Sequence, residues 1–185
     1  MSIIIWILIA VIVLILFIAL GYFNRFAVLV NRIENSQSQI DVQLKKRADL
    51  VPNLVETVKG YTKHEKGIMF SVTDARRALL GARTFRDRVK AGNQLQEALK
   101  SIIAIGENYP QLRASENFKQ LQEELASIED KIAYARQFYN DSILEYDNLR
   151  STFPGIFFAS IYGRKDLPYL KIEEAEKKVV KVKFE

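Results

Sequence analysis

Residues 3–23 read IIIWILIAVIVLILFIALGYF, and no Asp, Glu, Lys, Arg or His occurs from residue 1 to residue 24. A helix rises about 1.5 Å per residue, so this run reaches roughly 31 Å, close to the thickness of a bilayer's hydrocarbon core. Fifteen residues between Ile3 and Leu20 are Ile, Leu, Val or Phe. At roughly −0.3 to −0.6 kcal/mol each, they favour insertion by several kcal/mol with no charge opposing. Trp6 lies near one end and Tyr22 and Phe23 at the other, as in the aromatic belts of membrane helices. A cleaved signal peptide needs a basic start, a shorter apolar core and a small-x-small cleavage site, and none of these is evident. The expectation is an uncleaved transmembrane anchor over residues 1–23. Arg25 and Arg32 follow the run closely, and Lys45, Lys46 and Arg47 come later, with no basic side chain before it. The positive-inside rule then places the N-terminus outside and the rest in the cytoplasm.

Residues 24–185 suffice for one domain with a real core. The whole formal charge of +5 lies there, interspersed with acids. That balance suits a solvated surface with some attraction to anionic lipid, and no nucleic-acid partner is expected. The absence of Cys excludes disulfides and thiolate metal sites. Pro occurs only at 52, 110, 154 and 168, which leaves long stretches open to helix.

From Phe26 the period is helical. Phe26, Val30, Ile33, Gln37, Ile40, Leu44, Arg47 and Val51 recur at spacings of three or four, a heptad-like seam diluted by Gln37 and Arg47. Only Gly21 interrupts the passage from the apolar run, so one helix can continue out of the bilayer. Pro52 disfavours helix at Val51, so this helix is expected to end or kink there. A second helix carries two stripes, Leu54, Val55, Val58 and Tyr61, then Ile68, Val72, Ala75 and Leu79. After a break between Gly81 and Asp87, a third buries Val89, Leu95, Leu99, Ile102 and Ile103, and ends near Gly106, Asn108 and Pro110. A fourth starts at Ser115, with Glu116 at the positive end of its dipole. Its stripe is Phe118, Leu121, Leu125, Ile128, Ile132, Ala135, Tyr139, Ser142, Ile143, Tyr146 and Leu149. The fold class is therefore all-α: one N-terminal transmembrane helix, then an antiparallel helical bundle of about four helices over residues 24–152. If Pro52 only kinks one long helix, the count falls to three.

That count decides where residues 153–162, FPGIFFASIY, come to lie. With four helices they return to the membrane-facing end; with three they land at the far end. The segment is too apolar to face water without a partner. Two readings are open for 153–170: an apolar flap packing on the bundle end, which is the simpler, or an interfacial membrane contact through Phe153, Ile156, Phe157, Phe158, Ile161 and Tyr162. Residues 171–185 form a charged tail whose Val180, Val182 and Phe184 alternate, which suits a frayed end or a short strand for a partner's edge.

The run QIDVQLKKRADLVPNLVETVKGY within residues 22–66, the stretch NYPQLRASENFKQLQEELASIEDKIAYARQFYNDSILEYD, and the closing FPGIFFASIYG strongly resemble the LemA family. The resemblance covers about residues 22–163. It implies a bacterial membrane protein with one N-terminal anchor and a helical-bundle domain, supports the four-helix count, and suggests membrane organisation as a theme; no enzyme activity is established for the family as a whole.

The residues themselves offer little chemistry. His64 is the only histidine, and KHEKGI lacks the second His of a helical zinc motif, so it reads as a surface helix residue. No nucleophile elbow or phosphate loop is present. Adjacent acids such as Glu123 with Glu124, and Glu173 with Glu174, point apart on a helix. No catalytic residue, cofactor or metal is expected. Lys45, Lys46 and Arg47 lie about 21 residues beyond Asn24, roughly 31 Å along a straight helix, well beyond the ~8 Å Debye length from their own membrane. They form a solvated face or a docking patch for an acidic partner. Arg47 also falls on the apolar seam, where a charge would need an acid on a facing helix. The leading expectation is a non-enzymatic membrane protein that self-associates or scaffolds others. The alternatives are an adaptor for a membrane protease or signalling partner and, remotely, a hydrolase.

Overall fold

The computed structural model describes residues 2–62 and 65–170. His64 and residues 171–185 lie outside the described residues, as do the readings that rest on them. Among those described, all regular structure is helical: α1 Ser2–Lys59, α2 Lys66–Gly81, α3 Phe85–Asn108, α4 Pro110–Ala114, α5 Glu116–Ser151 and α6 Gly155–Ile161.

Helix α1 does not end at Pro52. A proline inside a helix removes the N–H that would bond the carbonyl four residues back and costs about 3 kcal/mol or more. That carbonyl belongs to Ala48, which is fully buried. Arg76 of α2 reaches it, its Nε donating to the Ala48 oxygen at 2.8 Å. The orphaned acceptor is thus satisfied from another helix. The break comes instead at Gly60–Thr62, where Gly60, Tyr61 and Thr62 return backbone hydrogen bonds to Glu56 and Val58. Thr62 adds its hydroxyl to the Val58 carbonyl. Of the two outcomes expected at Pro52, an end is thus overturned, and the helix boundary lies at residue 60.

The described residues of Met1–Glu34 and Gln137–Glu185 make one compact unit, and Asn35–Arg136 the other. Within Asn35–Arg136, α1 and α3 run parallel. Asp41 accepts two hydrogen bonds at 2.7 Å from the Arg88 guanidinium, and Leu44 fills the space over Gly92. A Cβ at residue 92 would lie 2.5 Å from a Leu44 methyl, so the approach depends on glycine. Helices α3 and α5 run antiparallel: Arg136 donates to Asn93 near one end, and Phe118 packs over Gly106 near the other. Helix α3 starts at Thr84, whose hydroxyl accepts from the Asp87 N–H at 3.1 Å and donates to its carboxylate at 2.6 Å. The core here is Ile40, Leu44, Val51, Leu54, Val58, Val72, Leu95, Ile102, Leu112 and Phe118, each at most 2% exposed. A side chain of this kind contributes about 1.5–3 kcal/mol when fully buried.

In the unit of Met1–Glu34 and Gln137–Glu185, the α1 segment and the end of α5 run antiparallel, with Arg32 bonded to Glu145 at 2.9 Å and Phe26 edge-on to Tyr146. Every residue of the expected stripe from Phe118 to Leu149 is buried.

The pairing of Arg76 with the carbonyl that Pro52 orphans is testable by a double-mutant cycle in thermal unfolding of the detergent-solubilised full chain. Arg76→Ala is expected to cost about 1–2 kcal/mol by leaving a buried carbonyl unpaired. In a Pro52→Ala background, which restores the helical N–H, the same change is expected to cost clearly less. Equal costs in both backgrounds contradict the compensation.

Candidate functional site

The apolar segment after α5 folds as α6 against the far end of the α1 apolar run. Gly155, Phe158, Ala159 and Tyr162 recur at helical spacing and share one face. Gly155 and Ala159 are buried, and Phe158 and Tyr162 are half-buried. That face meets α1 through aromatic rings. Tyr22 stacks on Phe158 with centroids 4.7 Å apart, and Tyr162 stands edge-on to Phe23 at 5.5 Å and to Phe26 at 6.3 Å. The Tyr162 hydroxyl donates to the Ala19 carbonyl at 2.7 Å. Gly155 permits the turn into α6, since a Cβ there would sit 2.0 Å from the Leu149 carbonyl oxygen. The six residues singled out from the sequence therefore divide. Phe158 and Tyr162 turn towards α1, while Phe153, Ile156, Phe157 and Ile161 are 81%, 49%, 60% and 74% exposed. Phe153 and Phe157 also meet edge-on at 5.9 Å.

Residues 164–170 are held by α5, a contact that the spacing of the residues does not foreshadow. Tyr146 donates to the Lys165 carbonyl at 3.0 Å, and Tyr139 to the Pro168 carbonyl at 2.9 Å. Asn140 exchanges two hydrogen bonds with the Leu170 backbone, and Arg150 pairs with Asp166. The Arg164 guanidinium lies over Phe26, 5.8 Å from the ring centre. The available signal was two tyrosines on a core stripe, because a buried hydroxyl needs a partner. Burial raises the pKa of Tyr146 against the opposing pull of Arg164 and Arg150. The protonated form that donates to Lys165 is thus the one favoured in the folded state. Its stabilising contribution is complete below the ordinary tyrosine range and is lost as pH rises through the raised value.

Lys45, Lys46 and Arg47 do not share a surface. Lys45 and Lys46 are exposed, and Lys45 pairs with Asp49 one turn on. Arg47 is 1% exposed. Its guanidinium bonds the Glu129 carboxylate of α5 at 2.6 Å and the Gly92 carbonyl of α3 at 3.2 Å, while Gln96 also donates to Glu129. The acid on a facing helix is thus Glu129, and Arg47 presents nothing to an outside partner. Beside the pair runs an open, mainly apolar groove of about 210 Å³ between α3 and α5, lined by Leu99, Ile103, Leu125 and Ala126 among others. No group of three His, Cys, Asp or Glu side chains that could hold a metal occurs among the described residues.

A family model described as the LemA family matches residues 36–184. The chain belongs to the LemA family. Among curated proteins it is 24% identical over 173 residues to the magnetosome protein MamQ of Magnetospirillum gryphiswaldense, covering 80% of this chain and 64% of that one. It is 23% identical over 179 residues to the magnetosome protein MamQ 1 of Paramagnetospirillum magneticum, covering 83% and 66%. The chain thus spans less than two thirds of the length of these relatives. The LemA match begins after the apolar run, so the membrane association of this LemA-family chain is argued from residues 3–23 themselves. They form the one helix stretch among the described residues long and apolar enough to cross a bilayer.

The buried guanidinium gives a stability prediction for the full chain in detergent. Glu129→Ala is expected to destabilise it by about 1–2 kcal/mol, below the usual cost of breaking a buried pair because Glu129 is 43% exposed. Replacing Arg47 by Met in that background is expected to recover part of the loss, since an apolar side chain leaves no buried charge. Chemical denaturation of the four variants of the cycle checks both signs.

Proposed function

We propose that this LemA-family protein is a single-pass, membrane-anchored antiparallel bundle of about four long helices with a non-enzymatic role, in which it self-associates or scaffolds other membrane proteins. The observation that supports this best is the surface of α1. From Ile3 to Leu20 the side chains stand open, Trp6 and Phe17 at 70% exposure each. Apolar surface of this extent is stable only against lipid or against other apolar helices. Its β-branched residues suit lateral association of a second copy. Arg25 and Arg32, with no basic side chain before the run, favour an N-terminus outside a bacterial cell membrane and the helical domain in the cytoplasm. The two relatives carry the name of a magnetosome protein. A structural role for this chain fits that pattern.

One observation favours a second reading, an adaptor that binds an acidic partner such as a membrane protease or signalling protein. Lys45 and Lys46 are adjacent, exposed cations. Charge complementarity at such a site sets partner choice and association rate more than raw affinity.

Chemical crosslinking in intact membranes, followed by sizing of the extracted complex, separates the two. The scaffold is expected to give a ladder of multiples of the chain that persists in Lys45→Glu/Lys46→Glu. Monomer alone overturns it. A single heterologous partner captured by the wild type and lost from the charge-reversed variant establishes the adaptor instead.

A further inference from the structure

Helix α6 is apolar on two sides. One side is occupied: Phe158 and Tyr162 lie against Ala19, Tyr22 and Phe23 of α1, with Gly155 and Ala159 buried on the same face. The other carries Ile156, Phe157 and Ile161, with Phe153 just before the helix, all open, and Ser160 as its one polar member. A short helix apolar all round does not rest against water on one side.

We infer that this outer face of α6 lies in the lipid of the same leaflet that surrounds the end of the α1 run, as a second, non-spanning foot beside the anchor. The inference rests on the reading of residues 3–23 as a bilayer span. Three observations fix the occupant as lipid. The first is continuity: α6 is seated directly on the exposed apolar run, so its outer face extends a surface that lipid already covers. The second is depth. Ala19, whose carbonyl receives the Tyr162 hydroxyl, lies four residues inside Phe23, about 6 Å along the helix axis. Helices lying in a membrane interface bury their apolar face by about 5–10 Å. The third is the pairing of that hydroxyl. At this depth no water is at hand, and the second lone pair of a helix carbonyl is the acceptor within reach. Beyond α6, Arg164 and the exposed Lys165 follow where phosphate headgroups would lie.

Trp6 is the chain's only tryptophan, so tryptophan fluorescence can read each site separately. The full chain is reconstituted into phosphatidylethanolamine–phosphatidylglycerol vesicles whose acyl chains carry bromine. Native Trp6 reports the span. Phe157→Trp and, separately, Ile161→Trp, each in a Trp6→Phe background, report α6. Leu144→Trp in that background is the control. Residue 144 is half-exposed and adjoins Glu145, which pairs with Arg32, nine residues or about 14 Å beyond Phe23.

The expected result is blue-shifted emission at positions 157 and 161, quenching by bromolipid comparable to that of Trp6, shielding from aqueous acrylamide, and none of these three effects at position 144. Quenching of Trp6 without quenching at 157 and 161 overturns the inference while leaving the anchor intact. Shielding at 157 and 161 that depends on protein density and not on bromolipid assigns the face to a second copy, and also overturns it. An unquenched Trp6 removes the span and the inference together. None of these readouts requires self-association, so failure of the scaffold is seen independently by crosslinking.

Discussion

Helix α1 meets two kinds of surroundings, and the change between them occupies little more than one turn. Up to Gly21 nearly every side chain stands open around the whole circumference. From Phe26 the buried positions include Phe26, Leu29, Ile33, Ser36, Ile40, Leu44, Arg47, Val51, Leu54 and Val58, in steps of three and four, with Ala48 and Val55 buried beside them. One continuous backbone thus passes from apolar all round to apolar on a single stripe. The first pattern is stable where no water competes for the side chains, the second where water covers all but one face. The packing described for α2, α3, α5 and α6 depends on this change, because each meets α1 at a residue on or beside the stripe or at the turn where it begins.

The two units solve different problems on that helix. In Asn35–Arg136 the stripe contains a cation, and the surroundings are built around it. Gly92 has no side chain, so α3 comes close enough for its carbonyl to accept from Arg47, and Leu44 takes the remaining space. Glu129 stays partly in water while it neutralises the charge, which keeps the desolvation cost to one partner. In the unit of Met1–Glu34 and Gln137–Glu185 the contacts are aromatic instead. Phe26 is met by Tyr146, Tyr162 and Arg164, and each tyrosine sends its hydroxyl to a backbone carbonyl. Rings supply area, while their polar tips fix the register of segments that have no periodicity of their own.

That contrast explains what could be read from the residues. Helix α5 has neither Gly nor Pro within it and a strict spacing, so its buried face was legible position by position. The α1 seam was legible to within one residue: Leu29 and Ser36 are buried where Val30 and Gln37 were expected, and both of the latter are half-buried beside them. Adjacent residues on a helix differ by about 100°, so both can border one seam. Pro52 was misleading because its compensation is not local. The residue that satisfies Ala48 is Arg76, in the next helix, and a local rule about proline contains no term for it. The clasp on residues 164–170 had no signal in spacing, since an extended segment bonded through its backbone leaves its own side chains unconstrained. The separation of Arg47 from Lys45 and Lys46 was half legible: the seam position marked it, but only packing could name Glu129.

The aromatic seat of α6 says more than burial alone. Had the segment been a cover for the end of a water-soluble domain, an apolar inner face and a polar outer face would have sufficed, as on an ordinary surface helix. Its outer face is instead mainly apolar as well, through Ile156, Phe157 and Ile161, and the Tyr162 hydroxyl is turned inward to a carbonyl of the apolar run. A tyrosine at a water boundary has no need of that bond, because water satisfies the hydroxyl at little cost. Pairing it with Ala19 is worth most where water is absent. The same hydrogen bond holds α6 to α1, as those of Tyr139 and Tyr146 hold residues 164–170 to α5.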